Sequence, residues 1–128
     1  MAASIVVTDI HSSGRQGGMF AHEIDWVADG SGDATAILTK VDIDGIIMGI
    51  SMIPDGVDPP DANWDLTIVD EFGLDLLRGL GTNLVATQVD KIPEMDNGQA
   101  IPCVTSQVTV TVDEAGADNA GKIIIYWK

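Results

Sequence analysis

Alternation of apolar and polar residues is the dominant pattern of this chain, and it is typical of β-strands. In the stretch Asn63–Gly81, Trp64, Leu66 and Ile68 alternate with polar residues, which is the period of a half-buried strand. The Asp-Glu-Phe-Gly sequence that ends at Gly73 predicts a tight reversal, and the alternation resumes directly after it. The stretch therefore predicts a β-hairpin at the centre of the chain.

Similar runs recur on both sides of this hairpin. Further strands are predicted over Ser4–Ile10, Phe20–Ala28, Thr35–Ile43, Ile46–Ile53, Leu84–Val89, Val104–Val112 and Lys122–Lys128. Turn-forming residues predict reversals at Asp29–Asp33 and Asp44–Gly45. The most regular alternation is that of Val104–Val112, and we expect this strand to pair with Lys122–Lys128 as a closing hairpin.

About eight strands and no convincing long helix are typical of sandwiches and barrels. The predicted fold class is all-β, an antiparallel β-sandwich with jelly-roll-like connectivity. We expect residues 1–18 to form an N-terminal strand followed by a flexible, glycine-rich arm, and residues 19–128 to form the sandwich domain. The arm is predicted to become ordered on contact with a neighbouring protein.

The strand Ile46–Ile53 is almost wholly apolar, which predicts burial on both faces, by a second sheet or by another subunit. Gly49 within it predicts a bulge or a close backbone approach. Core or sheet-face packing is expected of Trp26, Trp64 and Trp127, which lie in strand-like runs. The alternative for Tyr126 and Trp127, in the last run, is that they anchor a subunit contact. The predicted interface residues are Ile46, Ile47, Met48, Ile50, Tyr126 and Trp127.

The charge of the chain narrows the classes of partner. The 128 residues carry 20 acids against 6 lysines and arginines, a formal net charge of −14. This balance disfavours nucleic acid, whose phosphates need basic side chains, and it disfavours an anionic membrane surface. It suits a soluble protein that docks onto a basic surface.

Candidate chemistry is sparse. Cys103 lies in an apolar run, which predicts a buried structural thiol. His11 and His22 lack the further ligands that a zinc site needs, and we expect them at solvent-exposed or interface positions. The nucleophile elbow, the Walker A loop and the dinucleotide fingerprint are absent from the sequence. We therefore expect no catalytic residue, no bound metal and no cofactor, and we do not expect an enzyme.

Acidic residues leave one alternative open. Asp55, Asp58 and Asp61 lie in the proline-rich connection 54–63 and could act as calcium ligands. Such aspartates are more often turn formers and solubilising residues. A calcium-dependent ligand-binding β module, for instance for carbohydrate, is the alternative that these residues would support.

An ordered set of segments resembles the small structural proteins of tailed-bacteriophage virions. The segments are Ile24–Ala34, Pro60–Asp70, Gly73–Leu77 with Gly79, Gly81 and Asn83, and Gly121–Trp127. The resemblance covers most of the chain from Ile24 onward and consists of strands and turns, with no catalytic signature. It implies a β-sandwich or jelly roll that assembles on the capsid or at its neck, and it transfers no functional residue.

The function expected from the residues and the resemblance together is that of a capsid decoration, or cement, protein. Such a protein is made in the host cytoplasm, joins the virion, and bridges capsid subunits without catalysis. The expected partners are the major capsid protein or other virion proteins, together with further copies of this chain as a homo-oligomer. The alternatives are a neck, tail or fibre component and the calcium-dependent module.

Overall fold

The computed structural model of the chain describes residues 2–11, 20–95 and 97–128. These residues form nine β-strands. The strands are β1 (Ser4–His11), β2 (Phe20–Val27), β3 (Ala34–Leu38), β4 (Ile43–Pro54), β5 (Asp65–Asp70), β6 (Val89–Lys91), β7 (Ile101–Thr105), β8 (Val108–Asp113) and β9 (Ala120–Trp127). No helix occurs among the described residues, and none there could therefore span a membrane.

The strands form two antiparallel sheets. The first sheet has the order β1-β2-β9-β4, and the long strand β4 pairs along its other edge with β7 near one end and with β6 further along. The second sheet has the order β3-β8-β5. Because the chain crosses between the sheets at most connections, it wraps around a common core as a jelly roll does. The predicted all-β sandwich is confirmed, with nine strands.

The core lies between the two sheets and follows the period-2 pattern of the strands. In β8, Val108, Val110 and Val112 are fully buried, and the threonines between them are partly exposed. Trp26 from the first sheet packs against Trp64 at the start of β5, with ring centroids 5.2 Å apart. Both tryptophans are buried, as the expected core packing requires.

The prediction of a central hairpin is correct for its turn and wrong for its second strand. The reversal at Asp70–Gly73 is present, with Gly73 at a φ of 90° and its N–H donating to the Asp70 carbonyl. The returning strand is absent, since the chain after Gly73 forms turns, and its β-pairing with β5 is limited to an isolated bridge between Val69 and Asp75. The strand that β5 pairs with is β8.

The predicted strand Val104–Val112 is wrong as a single element, and so is its pairing with the last strand. The chain leaves the first sheet after Thr105 and enters the second at Val108. Cys103 and Thr105 point into the core from one side and Val108 from the other, so the buried positions shift by one residue. Since β8 lies in the second sheet, β9 pairs with β2 and β4 instead.

Other boundaries differ locally. The predicted strand Thr35–Ile43 ends at Leu38, and the predicted turn Asp44–Gly45 lies inside β4 because Gly45 pairs with Cys103 of β7. The predicted strand Leu84–Val89 is reduced to a bridge between Leu84 and Trp64, and β6 begins at Val89. The bulge predicted at Gly49 is confirmed by a register shift between Ile47 and Gly49.

The N-terminal strand is part of the sheet in this chain. β1 pairs with β2 from Ser4 to His11, and Ile5 and Val7 pack against the core. The strand predicted over Ser4–Ile10 is therefore confirmed. Most of the predicted arm, residues 12–19, lies outside the described residues.

Candidate docking surface

Exposed large hydrophobic side chains are concentrated on one side of the sandwich. Twelve are exposed among the described residues, and nine of them come from β4, from β7 or from the connection between β5 and β7. The nine are Ile46, Met48, Phe72, Leu74, Leu80, Val85, Ile92, Met95 and Val104. Contiguous exposed apolar patches are typical of interaction surfaces, whereas single exposed hydrophobic residues are not.

The connection between β5 and β7 runs along the open edges of both sheets, and this explains the concentration. Along β5, the Leu66 N–H donates to the Gly81 carbonyl and the Asp70 N–H donates to the Leu74 carbonyl. Further on, β6 pairs with β4. The opposite edges of the sandwich are formed by β1 and β3, which contact each other. We call the side that carries β6, β7 and this connection the docking side.

Part of the docking side is the outer face of the first sheet, where four exposed apolar residues form an apolar patch. The patch consists of Ile46 (42% exposed), Met48 (37%), Val104 (65%) and the exposed Pro102. Ile46 lies directly opposite Pro102 in the pairing of β4 with β7. Solvent-facing positions of an antiparallel sheet are usually polar. The apolar patch therefore departs from the pattern of a free sheet face.

The edge of the sheet at β7 is protected against strand addition. Ile46 exchanges backbone hydrogen bonds with Lys128, so Gly45 and Ile47 bond towards β7. Pro102 and Val104 then turn their backbone groups to the open edge, where Pro102 has no N–H to donate. A proline at an edge strand blocks pairing with another chain. A partner at this side is consequently expected to use side chains, not an added strand.

Carboxylates frame the apolar patch. Asp44 lies opposite Val104, and Asp90 of β6 lies opposite Ser51 of β4; both acids are exposed. Glu71 is held against β7, since its backbone N–H donates to Thr105 Oγ1 and the Ser106 hydroxyl donates to its carboxylate. An apolar centre with a charged rim is the usual anatomy of a protein interface. The sign of this rim favours a basic partner.

The structure divides the interface residues predicted from the sequence. Ile47 and Ile50 are fully buried in the core of this chain, so the prediction that they contact a partner is corrected. Trp127 stacks on Phe20 at 4.4 Å between ring centroids and packs against the core, so its ring serves mainly this chain. Tyr126 is partly exposed opposite Gly49 on the outer face. Ile46, Met48 and Tyr126 lie on an accessible face, and their role at an interface stays a prediction.

A cleft of about 650 Å³ opens on the docking side. We call it the side cleft. It lies between the turns that follow β5 and the loop that precedes β7. Its lining consists of Gly73, Leu74, Asp75, Arg78, Gly79, Glu94, Met95 and Asn97. Leu74 and Met95 are the apolar members, and they remain 50% and 38% exposed.

No metal site is visible in the described part of the chain, where no three histidine, cysteine, aspartate or glutamate side chains are grouped to hold an ion. Of the predicted calcium ligands, Asp55 serves the backbone: one of its carboxylate oxygens accepts hydrogen bonds from the N–H groups of Val57 and Asp58. These bonds lower the pKa of Asp55. Asp61 accepts a hydrogen bond from the Asn119 amide.

His22 and Cys103 are internal. His22, expected at a solvent-exposed or interface position, is buried, and its Nε2 lies 2.8 Å from the Asp42 carbonyl oxygen. Cys103 is buried as predicted. Burial, followed by the nearby Asp70 carboxylate, raises the pKa of its thiol to about 11. The thiol is therefore protonated at neutral pH and unsuited to nucleophilic chemistry.

Several residues of the docking side were missed from the sequence, among them Pro102, Phe72, Leu74 and Met95. Pro102 within an apolar run was a usable signal, because proline inside a strand indicates an edge. The other three lie in turns and loops, where alternation carries no information on exposure. Their common location depends on how the connection between β5 and β7 packs.

No protein-family model matches this chain, and no curated protein matches it. Among solved structures, the chain is similar to one titled "Crystal Structure of FLHE". The two share 10% sequence identity with a TM-score of 0.44, over 87% of this chain and 98% of the other. A likeness this distant indicates no function.

Proposed function

We propose that this protein is a non-catalytic structural component of a virion that decorates the capsid and bridges its subunits. The observation that carries the proposal is the apolar patch on the outer face of the first sheet, framed by carboxylates. The resemblance of the sequence to small structural proteins of tailed-phage virions supports the same role.

Docking through the apolar patch has a simple physical basis. Ile46, Met48 and Val104 lose contact with water when a partner covers them, and burial of apolar area is the main favourable term in association. The carboxylate rim steers the protein to a surface rich in lysine and arginine and disfavours acidic partners. The major capsid protein, presenting an apolar area with a basic border at subunit junctions, is the proposed partner.

A neck, tail or fibre position is the alternative within the same class, because the surface chemistry required is the same. Copy number separates the two. A decoration protein binds across the whole capsid lattice, whereas a neck or fibre protein binds in a few copies at one vertex.

The test is co-sedimentation of purified protein with capsids of the phage whose genome encodes it. The docking variant carries Ile46→Lys and Met48→Lys. The matched control carries Val6→Lys and Ile37→Lys, which are 57% and 63% exposed away from the docking side. Both double variants add the same two charges, so a general effect of charge is shared by both.

We expect saturable binding of wild type and control, with binding of the docking variant weakened at least about tenfold, as loss of about 1.4 kcal/mol produces. Equal weakening of both double variants would assign the effect to net charge and remove the patch from the proposal. Absence of wild-type binding to capsids and to complete virions would overturn the virion role.

A further inference from the structure

The side cleft has the size of a binding site and two preformed walls. Its volume of about 650 Å³ falls within the range of ligand pockets, and it exceeds the space that one side chain fills. It does not belong to the apolar patch, because its lining comes from residues 73–75, 78–79, 94–95 and 97, with none from β4 or β7. Its occupant is therefore a separate question.

Backbone hydrogen bonds hold the wall at residues 73–79. The Asp75 carboxylate accepts hydrogen bonds from the N–H groups of Ile68, Leu77 and Gly79, at 3.2, 3.1 and 2.9 Å. Leu76 and Leu77 are buried below it in the core. The wall is thus anchored to β5, which reduces the entropy that ligand binding would otherwise cost.

The opposite wall is a closed turn. The Met95 N–H donates to the Gln99 carbonyl and the Gly98 N–H donates to the Met95 carbonyl, both at 2.8 Å. Met95 projects from this turn as an exposed, unbranched side chain that adapts to the shape of its neighbour. Leu74 faces the same cleft from the other wall. Leu74 and Met95 together form a small apolar contact surface on the two sides of the cleft.

The charges and hydrogen-bond donors of the side cleft limit the class of ligand that it can bind. The cleft is lined by two carboxylates, Asp75 and Glu94, against one guanidinium, Arg78, in a chain of net charge −14. An anionic ligand is therefore disfavoured, and a basic group beside Glu94 is favoured. The Arg78 guanidinium is an exposed donor suited to the main-chain carbonyls of an extended segment.

We propose that the side cleft binds an extended peptide segment in which one large apolar side chain is flanked by basic residues. The apolar side chain lies between Leu74 and Met95, and a basic neighbour pairs with Glu94. If the proposed virion function holds, this segment belongs to the capsid partner and the cleft is the second contact of a bridging protein. The peptide-binding property itself can be measured without capsids.

The experiment is a titration of isotope-labelled protein, followed by backbone amide NMR shifts, with an end-capped hexapeptide of one phenylalanine flanked by lysines. Two probes serve as comparisons: the same peptide with glutamates for the lysines, and the same peptide with alanine for the phenylalanine. The cleft-filling variant is Asn97→Trp, and its control is Ile92→Trp, at an exposed position outside the cleft lining. The spectra also report whether each variant is folded.

The expected result is saturable shifts confined to residues 73–79 and 94–99, with binding weakened at least about tenfold by either peptide change and by Asn97→Trp, but not by Ile92→Trp. The proposal is overturned if the lysine peptide causes no saturable shift at millimolar concentration, if the shifts lie elsewhere, or if the glutamate peptide binds equally well. Peptide binding without capsid binding would remove the virion role and leave the cleft. Capsid binding without peptide binding would overturn the peptide-binding proposal and leave the virion role.

Discussion

Replacing Asp75 by alanine tests the most unusual stabilising device of this fold, a side chain that takes the place of a β-strand. The outer edge of β5 has no strand beside it over its length. The Asp75 carboxylate accepts the Ile68 N–H of that edge and, through the same carboxylate, the N–H groups of Leu77 and Gly79. The Ile68 carbonyl accepts a bond from the Leu76 N–H at 2.7 Å.

The loss of stability in Asp75→Ala depends on which of the three backbone N–H groups can be hydrated once the carboxylate is removed. The Gly79 N–H is exposed and can be hydrated once the carboxylate is removed, whereas the donors at Ile68 and Leu77 are partly buried. Each buried donor left without an acceptor costs about 1–3 kcal/mol, so we expect Asp75→Ala to lower the free energy of unfolding by about 2–4 kcal/mol. That is a large share of the roughly 5–15 kcal/mol typical of a domain.

The assay is urea unfolding followed by fluorescence of the buried tryptophans Trp26 and Trp64. The matched control is Asp70→Ala, because Asp70 Oδ1 also accepts two backbone N–H groups, from Phe72 and Leu74, but both bonds are exposed. We expect the control to cost about 1 kcal/mol or less. Equal losses in the two variants, or a loss for Asp75→Ala below about 0.5 kcal/mol, would refute the edge-capping argument.

Four further predictions concern two aspartates, the thiol and self-association. Burial and then the charges of Asp33 and Asp65 raise the pKa of Asp113, so folding disfavours its ionised form. We therefore expect Asp113→Asn to raise the melting temperature slightly at neutral pH. This gain should disappear as pH falls through the pKa of Asp113 in the folded protein. Backbone N–H groups lower the pKa of Asp29 and Asp55, so these carboxylates stabilise the fold above the usual pKa of 3.8, and this stabilisation is lost as pH falls below it. Acid unfolding of Asp55→Asn tests this, because its loss of stability relative to wild type should shrink at low pH. Cys103 should react with a thiol reagent at neutral pH only at the rate of unfolding, and rapid labelling in native buffer would contradict its burial. For the homo-oligomer predicted from the sequence, light scattering should show a discrete multiple of the monomer mass. The oligomeric fraction should grow with salt, because salt screens the acidic rims of identical faces. A monomer at every salt concentration would contradict the prediction.

Local features were predicted well from the sequence. The reversal at Asp70–Gly73 depends on an aspartate that bonds nearby N–H groups and on a glycine with positive φ, and both effects act within a few residues. The bulge at Gly49 and the burial of Cys103 were likewise readable from single residues and their neighbours. Fold class followed because strands of this period leave few alternatives to a sandwich.

Pairing was not predictable in the same way, because alternation fixes which residues share a face but not which sheet the face belongs to. Valines and threonines continue in step through the segment 104–112, yet the chain changes sheet between Thr105 and Val108. A hydrogen bond from Thr105 Oγ1 to the Gln107 carbonyl, at 2.6 Å, holds this crossing. Nothing in a period of two distinguishes such a crossing from an uninterrupted strand.

The candidate site was predictable in part for the same reason. Ile46 and Met48 were singled out because their strand is so apolar, but the inward neighbours Ile47 and Ile50 could not be separated from them until the bulge fixed the orientation of each side chain. The side cleft had no sequence signal, since residues 73–75, 78–79, 94–95 and 97 come together through the packing of a long connection.

The central place of the last strand has a consequence for biosynthesis. In the first sheet β9 lies between β2 and β4, so these two early strands have no direct pairing with each other. During translation they leave the ribosome long before β9 exists, and the sheet can close only when residues 120–127 have emerged. The first sheet therefore closes only after β9 has emerged, and until then its unpaired apolar strands are the stage at which a chaperone or an aggregating neighbour competes for the chain.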